Sequence, residues 1–215
     1  MNVERALSTR YSARAYLPKP VEPQVIKAVL QAAERTPSWG NSQPWEVFVA
    51  SGAALERIRN GFAENYESSV PPKPDVPRPP DWPEAARKNI KELSTSQREG
   101  EFSDAFKGFL GLNHRFFDAP MVAYLCLDKA LSPWSLYDLG AYSESLILAA
   151  TEHGLGTIPA INLVAFPDII REELGIPENL DIAIGVAIGY PDVSNKINTY
   201  RSPRRPFDEA VRFFN

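Results

Sequence analysis

Arg10-Tyr11-Ser12-Ala13-Arg14 is the first place in the chain where residue type and spacing suggest chemistry. On an extended backbone, side chains alternate between faces, so Arg10, Ser12 and Arg14 point to one side. Two guanidinium forks with a hydroxyl between them suit a phosphate group. The same five residues also read as a solvated basic segment. A second basic group, Arg201-Ser202-Pro203-Arg204-Arg205, is stiffened by proline. Alone it reads as surface charge; together with Arg10 and Arg14 it suggests a divided phosphate site built from two distant parts of the chain. Between them, Pro37-Ser38-Trp39-Gly40-Asn41-Ser42-Gln43-Pro44-Trp45 packs amide and hydroxyl groups into a loop, where function often resides. An ordinary turn accounts for Gly40 through positive φ and for Asn41 through local bonding. It does not account for Gln43 ahead of Pro44-Trp45. The run from Gly154 to Asn162 has the glycines of a dinucleotide fingerprint without its context. They follow a helical pattern instead of opening one, no strand precedes them, and Pro159 replaces the third glycine. A helix stop followed by a rigid turn is expected there.

The elements that must hold these residues follow from hydrophobic periodicity. Val25, Ile26, Val29, Leu30 and Ala33 recur at helical spacing behind Pro23, which predicts a helix with one buried face. Trp45 to Ala50 is short, rich in β-branched and aromatic residues, and closed by Ser51-Gly52, as a strand would be. Prolines crowd Val70 to Pro83 and exclude both helix and central strand, so this segment is expected to run over the surface. Glu84 to Arg115 is polar with scattered apolar residues and predicts one or two moderately exposed helices. Met121 to Leu127 is continuously apolar, a buried central strand ended by Asp128-Lys129. Ser135 is placed to cap a helix whose Leu139, Tyr142, Leu146, Ile147 and Ala150 share a face, and Gly154 to stop it. Pro167 opens a shorter helix through Ile169, Ile170 and Leu174 that Gly175 closes, with Pro177 beyond. Ile182 to Ile188 is the last strong strand, ended by Gly189-Tyr190-Pro191. Helices and strands do not alternate as in a doubly wound sheet, so an α+β class is expected, with helices around a small sheet.

Composition narrows the partners. A chain of 215 residues with 44% hydrophobic and 23% charged residues is ordinary globular material, and one domain over 1–215 suffices, with the excursion at about 66–112. A net charge of -4 argues against nucleic acid and anionic membrane surfaces as partners. Met1-Asn2-Val3-Glu4-Arg5 lacks the layout of a signal peptide and no apolar run reaches bilayer length, so a cytoplasmic location is expected. Cys126 is the single cysteine and there are two histidines, which leaves neither an internal disulfide nor a metal-ligand pattern. Redox chemistry here requires a borrowed cofactor.

The four segments, in this order, resemble the nitroreductase family, in particular its nitrobenzoate and nitroaniline reductase-like branch. The resemblance spans nearly the whole chain. It is strong at Arg10–Arg14, at Pro37–Trp45, across Gly154–Pro177, and at Gly189-Tyr190-Pro191 with Arg201–Pro206; it is weak from Gly52 to Gly111. It implies an intertwined homodimer with a small, mainly antiparallel central sheet, flanked by helices, and FMN held between the subunits. Arg10, Ser12 and Arg14, with Tyr11 among them, would take the ribityl phosphate and the nearby flavin edge, and Arg201 and Arg204 would complete the grip. Ser38, Trp39 and Asn41 would reach the flavin from the partner chain, with Gln43 at the ribityl or ring edge and Asn113 touching the ring. The backbone of Pro159, Ala160 and Ile161 would lie beside the isoalloxazine. The implied activity is ping-pong transfer from NADH or NADPH to small electron-poor acceptors such as nitroaromatics or quinones, with flavin N5 carrying the hydride and no catalytic side chain. A dehydrogenase, dehalogenase or flavin reductase of the same fold shares this site, as does a flavin-binding or ligand-sensing protein without turnover. Trp39 departs from the family pattern, which often has a smaller residue there and bears on the acceptor pocket.

Overall fold

A computed structural model describes residues 2–214; the expected domain's outermost residues, Met1 and Asn215, lie outside them. In chain order the elements are α1 (Val3–Thr9), α2 (Pro23–Ala33), β1 (Trp45–Ser51), α3 (Gly52–Glu67), α4 (Glu84–Arg98), α5 (Phe109–His114), β2 (Met121–Asp128), α6 (Trp134–Glu152), β3 (Gly156–Ala160), α7 (Pro167–Leu174), β4 (Leu180–Gly189) and α8 (Phe207–Ala210). The strands form a single sheet of order β1-β2-β4-β3 in which every neighbouring pair is antiparallel. The class is α+β, as expected.

β2 explains why this sheet needs helices on both faces. Its alternate residues Val122, Tyr124 and Cys126 enter one core with Leu55, Ile58 and Phe62 of α3 and Ile170 of α7. Ala123, Leu125 and Leu127 enter the other, with Val29 of α2 and Leu139, Tyr142 and Leu146 of α6. A strand covered on both sides has no polar face to spare, hence the unbroken apolar run in the sequence. A third, smaller cluster lies apart, where Phe106 packs with Ile197 and Tyr200.

Two expectations need correction, and two helices are additions. Ser135 does not cap α6: Pro133 already has helical angles, the helix starts at Trp134, and Ser135 is buried in its first turn. Gly156–Ala160 is not a rigid turn but the edge strand β3, paired with β4 from Gly156↔Gly189 to Ala160↔Gly185; Pro159 is tolerated because an edge strand can lack a donor. The polar stretch after Gly52 holds the long helix α3, and Asn2 caps α1 by accepting from the Arg5 N–H at 2.8 Å; neither helix was anticipated. The proline-rich segment does run without helix or strand, and α4 and α5 follow it.

Candidate anion-binding site

Residues 12–17 are tied down along their length. Ser12 forms a parallel bridge with Thr157 of β3, and the Ala13 N–H donates to the Thr157 carbonyl at 3.0 Å. The Leu17 N–H donates to Tyr190 and the Asp192 N–H to Ala15. Gly156 permits this approach: a Cβ there would stand 2.7 Å from the Ala13 Cβ. The C-terminal segment is fastened to the same place by Asn198, which is buried. Its Oδ1 accepts from the N–H groups of Arg14 (2.7 Å) and Ala15 (3.3 Å), and its Nδ2 donates to the carbonyls of Ala15 (2.7 Å) and Asp192 (2.9 Å).

The result is a cavity of about 280 Å³ lined by Arg10, Tyr11, Ser12 and Arg14 from one end of the chain and Tyr200, Arg201 and Arg204 from the other. Four arginines line it and no carboxylate does. Among the described residues, none of the four takes part in an ion pair. The Nε atoms of Arg10 and Arg14 are buried without a hydrogen-bond partner. Arg14 is buried as a whole, and this burial pulls its guanidinium below the ordinary arginine value. Its Nη1 donates to the Ser12 carbonyl at 2.8 Å, and the rings of Phe106, Phe109 and Tyr200 surround its Cζ at 5.6–5.8 Å. Arg201 lies 4.0 Å over the Tyr11 ring and donates to the carbonyls of Asn198 and Tyr200. Arg204 donates to Ser202 Oγ at 2.6 Å and to nearby carbonyls.

Removing one cation from water without a counter-ion costs several kcal/mol. Aromatic faces return about 0.5–2 kcal/mol of that. The balance favours an anion in the cavity, and a phosphate monoester has the charge and the acceptor oxygens to meet several forks at once.

The other expected site residues lie elsewhere in the chain. Trp39, Asn41 and Gln43 are exposed, Trp39 at 80%, in a loop where Gly40, Asn41 and Gln43 all have positive φ. The loop is held by the Gln43 N–H donating to Ser38 Oγ at 2.8 Å and the Trp39 N–H donating to the buried Asp138 carboxylate at 3.1 Å. Ser38, Trp39, Asn41 and Gln43 do not line the arginine cavity. Asn113 is buried in α5, where its Nδ2 donates to the Phe109 carbonyl, and it does not line the cavity either. Pro159 and Ala160 end β3, and Ile161 begins the turn after it, a few residues past the bridge to Ser12. Sequence reasoning missed Asn198 and the aromatic group around Arg14; for the latter, the spacing of Phe102, Phe106 and Phe109 was the available signal.

No group of three or more histidine, cysteine or acidic side chains is placed to hold a metal among the described residues, and no helix there is long and apolar enough to cross a membrane.

A small antiparallel sheet thus carries helices on both faces and a basic cavity that joins segments distant in the chain. The chain belongs to the nitroreductase family, whose model matches residues 7–190. It is similar to the nitroreductase NfnB of Mycolicibacterium smegmatis, 30% identical over 225 residues that cover 98% of this chain and 92% of that protein. It is also similar to a 4-nitrobenzoate reductase of Pseudomonas putida, 28% identical over 217 residues, 94% of this chain and 90% of that one. Among solved structures, the FMN-dependent nitroreductase NfnB from Mycobacterium smegmatis in complex with NADPH superposes with a TM-score of 0.90 at 29% identity, covering 99% of this chain and 97% of that one.

Proposed function

We propose that this protein is an FMN-dependent oxidoreductase that draws electrons from NADH or NADPH and passes them to small electron-poor acceptors such as nitroaromatics or quinones. The observation that carries this reading is the acid-free cavity of four arginines with a buried, counter-ion-free Arg14 at its wall. Those residues fit the FMN phosphate, which brings about two negative charges and three acceptor oxygens. Arg10, Ser12, Arg14, Arg201 and Arg204 hold the phosphate, Tyr11 supports Arg201 from beneath, and Pro159, Ala160 and Ile161 flank the flavin. FMN supplies the reversible redox chemistry, while the protein binds, orients and shields it.

The working unit in this reading is a homodimer in a cytoplasm that supplies the reduced nicotinamide. The loop Ser38–Gln43 of one protomer faces the cofactor of its partner, which gives a role to the exposed Trp39, Asn41 and Gln43, and Asn113 lies near the same ring. Reductant and acceptor occupy one place in turn, so double-reciprocal plots are parallel; intersecting lines would sink that order of events. The names of the relatives and the FMN and NADPH of the superposed structure support the assignment.

The visible spectrum of the purified protein tests it directly. A flavin band that NADH or NADPH bleaches without oxygen is expected, and nitroarenes and quinones should restore it faster than unrelated oxidants. Arg204→Ala removes a charge-assisted bond of about 1.5–3 kcal/mol, so FMN retention should fall at least about tenfold. A colourless protein that takes up no FMN overturns the assignment, and a yellow protein that no reduced nicotinamide bleaches leaves a flavin binder without turnover.

A further inference from the structure

The helical part of the excursion, residues 84–112, where the sequence is least informative, reaches the cavity without lining it. Phe106 is buried and Phe109, the first residue of α5, is half-buried; neither lines the cavity. Their rings face the Arg14 guanidinium at 5.6 and 5.8 Å, and Tyr200, which does line the cavity, completes the surround at 5.8 Å. The group is braced from outside: Phe106 packs edge-on to Tyr200 at 5.0 Å, Phe102 does so at 5.2 Å, and the Tyr200 hydroxyl hydrogen-bonds Ser96 of α4 at 2.6 Å. Of the four arginines, Arg14 alone is buried, with Nε unpartnered and no acidic side chain in ion-pair distance among the described residues.

An aromatic surround does two things for a cation that an acidic partner would not do. It attracts the guanidinium through the negative face of each ring, within the roughly 6 Å range of that interaction. It also leaves the positive charge uncancelled by any acid, so the donors not spent on the Ser12 carbonyl stay open to an anion. A carboxylate in the same place would hold Arg14 more firmly and compete with the cofactor for it.

We infer that Phe106 and Phe109 are positioning residues for cofactor binding: they hold the Arg14 guanidinium toward the cavity in an uncompensated state and so make α5 and the segment before it part of the FMN site. This inference rests on the FMN reading above. It assigns the excursion a role in cofactor affinity, beyond any part in roofing an acceptor pocket.

The test is a double-mutant cycle read by FMN fluorescence quenching on apoprotein, with thermal unfolding of the same apoproteins alongside. Phe106→Leu and Phe109→Leu keep apolar volume and remove the ring. Each should weaken FMN binding about three- to tenfold, the size of one cation–π contact. Phe109→Tyr, which retains the ring, should bind like the wild type. On an Arg14→Ala background, loss of either ring should change FMN affinity less than twofold, because the group through which it acts is gone. Ring variants that bind FMN like the wild type overturn the inference alone, as does an equal loss with and without Arg14. An Arg14→Ala protein with undiminished FMN affinity overturns the role of Arg14 and the inference with it. A wild-type apoprotein that binds no FMN overturns the functional reading as well. If Phe106→Leu does not fold, the cycle with the half-buried Phe109 decides.

Discussion

Asn198 shows how much one side chain can organise: it is 3% exposed, and its amide serves four backbone groups, three of them on Arg14 and Ala15, 183–184 residues away, and the fourth on Asp192. Asn198→Ala would strip partners from the N–H groups of Arg14 and Ala15 and from the carbonyls of Ala15 and Asp192. A buried group left unpaired costs about 1–3 kcal/mol, and water reaches some of these four, so a loss of about 2–4 kcal/mol in stability is expected. FMN affinity should fall at least tenfold in the same variant. Asn198→Asp keeps the acceptor, loses both donations and sets a negative charge near an arginine-lined cavity, so its FMN affinity should fall more than its melting temperature suggests. Melting curves with and without FMN check both; undiminished FMN binding by the aspartate variant would show that this position does not govern the cavity. Nothing in the sequence pointed to Asn198, since its neighbours are an unpatterned polar stretch and its partners are remote. Arg10, Ser12 and Arg14 were legible because period-two spacing is a local property of extended backbone.

At the scale of elements, the proline-rich segment is fastened to the body by the Lys73 N–H donating to the Ala165 carbonyl, by Arg78 donating to Asn162 and, most firmly, by the buried ion pair of Asp75 with Arg171. Asp75 accepts from Arg171 Nη1 and Nη2 at 3.3 and 2.6 Å and from the Ile182 N–H at 2.8 Å, so it joins α7 and β4 to a stretch with no regular structure of its own. Arg171 is 7% exposed, and Asp168 and Glu178, its remaining acidic neighbours, lie at 3.8–3.9 Å and point into solvent. Asp75→Ala therefore strands a buried guanidinium, which costs about 3–5 kcal/mol. Chemical unfolding should register that loss, and limited proteolysis should cut first between residues 68 and 83. Unchanged cleavage would show that the segment is held by other means. The elements read correctly from sequence are those with dense patterns: α2 behind Pro23, α6 with Gly154 beyond its end though without the expected Ser135 cap, α7 between Pro167 and Gly175, and β1, β2 and β4 with their apolar runs. α3 escaped notice because Leu55, Ile58 and Phe62 are thinly spread among charged residues. β3 escaped because Gly156 and Pro159 interrupt the two strand-forming residues Thr157 and Ile158, and the pairing is supplied by remote partners, β4 and Ser12.

Considered whole, the protein hides several acids that ionise late. Cys126 is fully buried and burial pushes its thiol up to about 12, while burial also raises the phenols of Tyr16, Tyr124 and Tyr142. In the unfolded chain these groups lose protons near 8.5 for the thiol and 10 for the phenols. Above those values the unfolded state binds fewer protons than the folded one, so what these four groups contribute to stability is level below about pH 8 and declines from about pH 9 upward. A urea midpoint that falls between pH 8 and pH 10.5 is expected, with Cys126 inert to thiol reagents until the chain unfolds. Rapid labelling of the native protein would contradict that.

The two walls of the arginine cavity also leave the ribosome at widely separated times. Arg10 and Arg14 emerge early and Arg201 and Arg204 only after the last strand, β4, has been made. At about 5–20 residues per second, the early arginines wait on the order of ten seconds or more for their counterparts. All four strands precede Arg201 and Arg204 in the chain, so the sheet can form before the phosphate site is complete, and an apoprotein that folds without FMN is expected. In cells short of the vitamin precursor, the expected outcome is folded, loadable apoprotein, which added FMN should turn yellow without refolding.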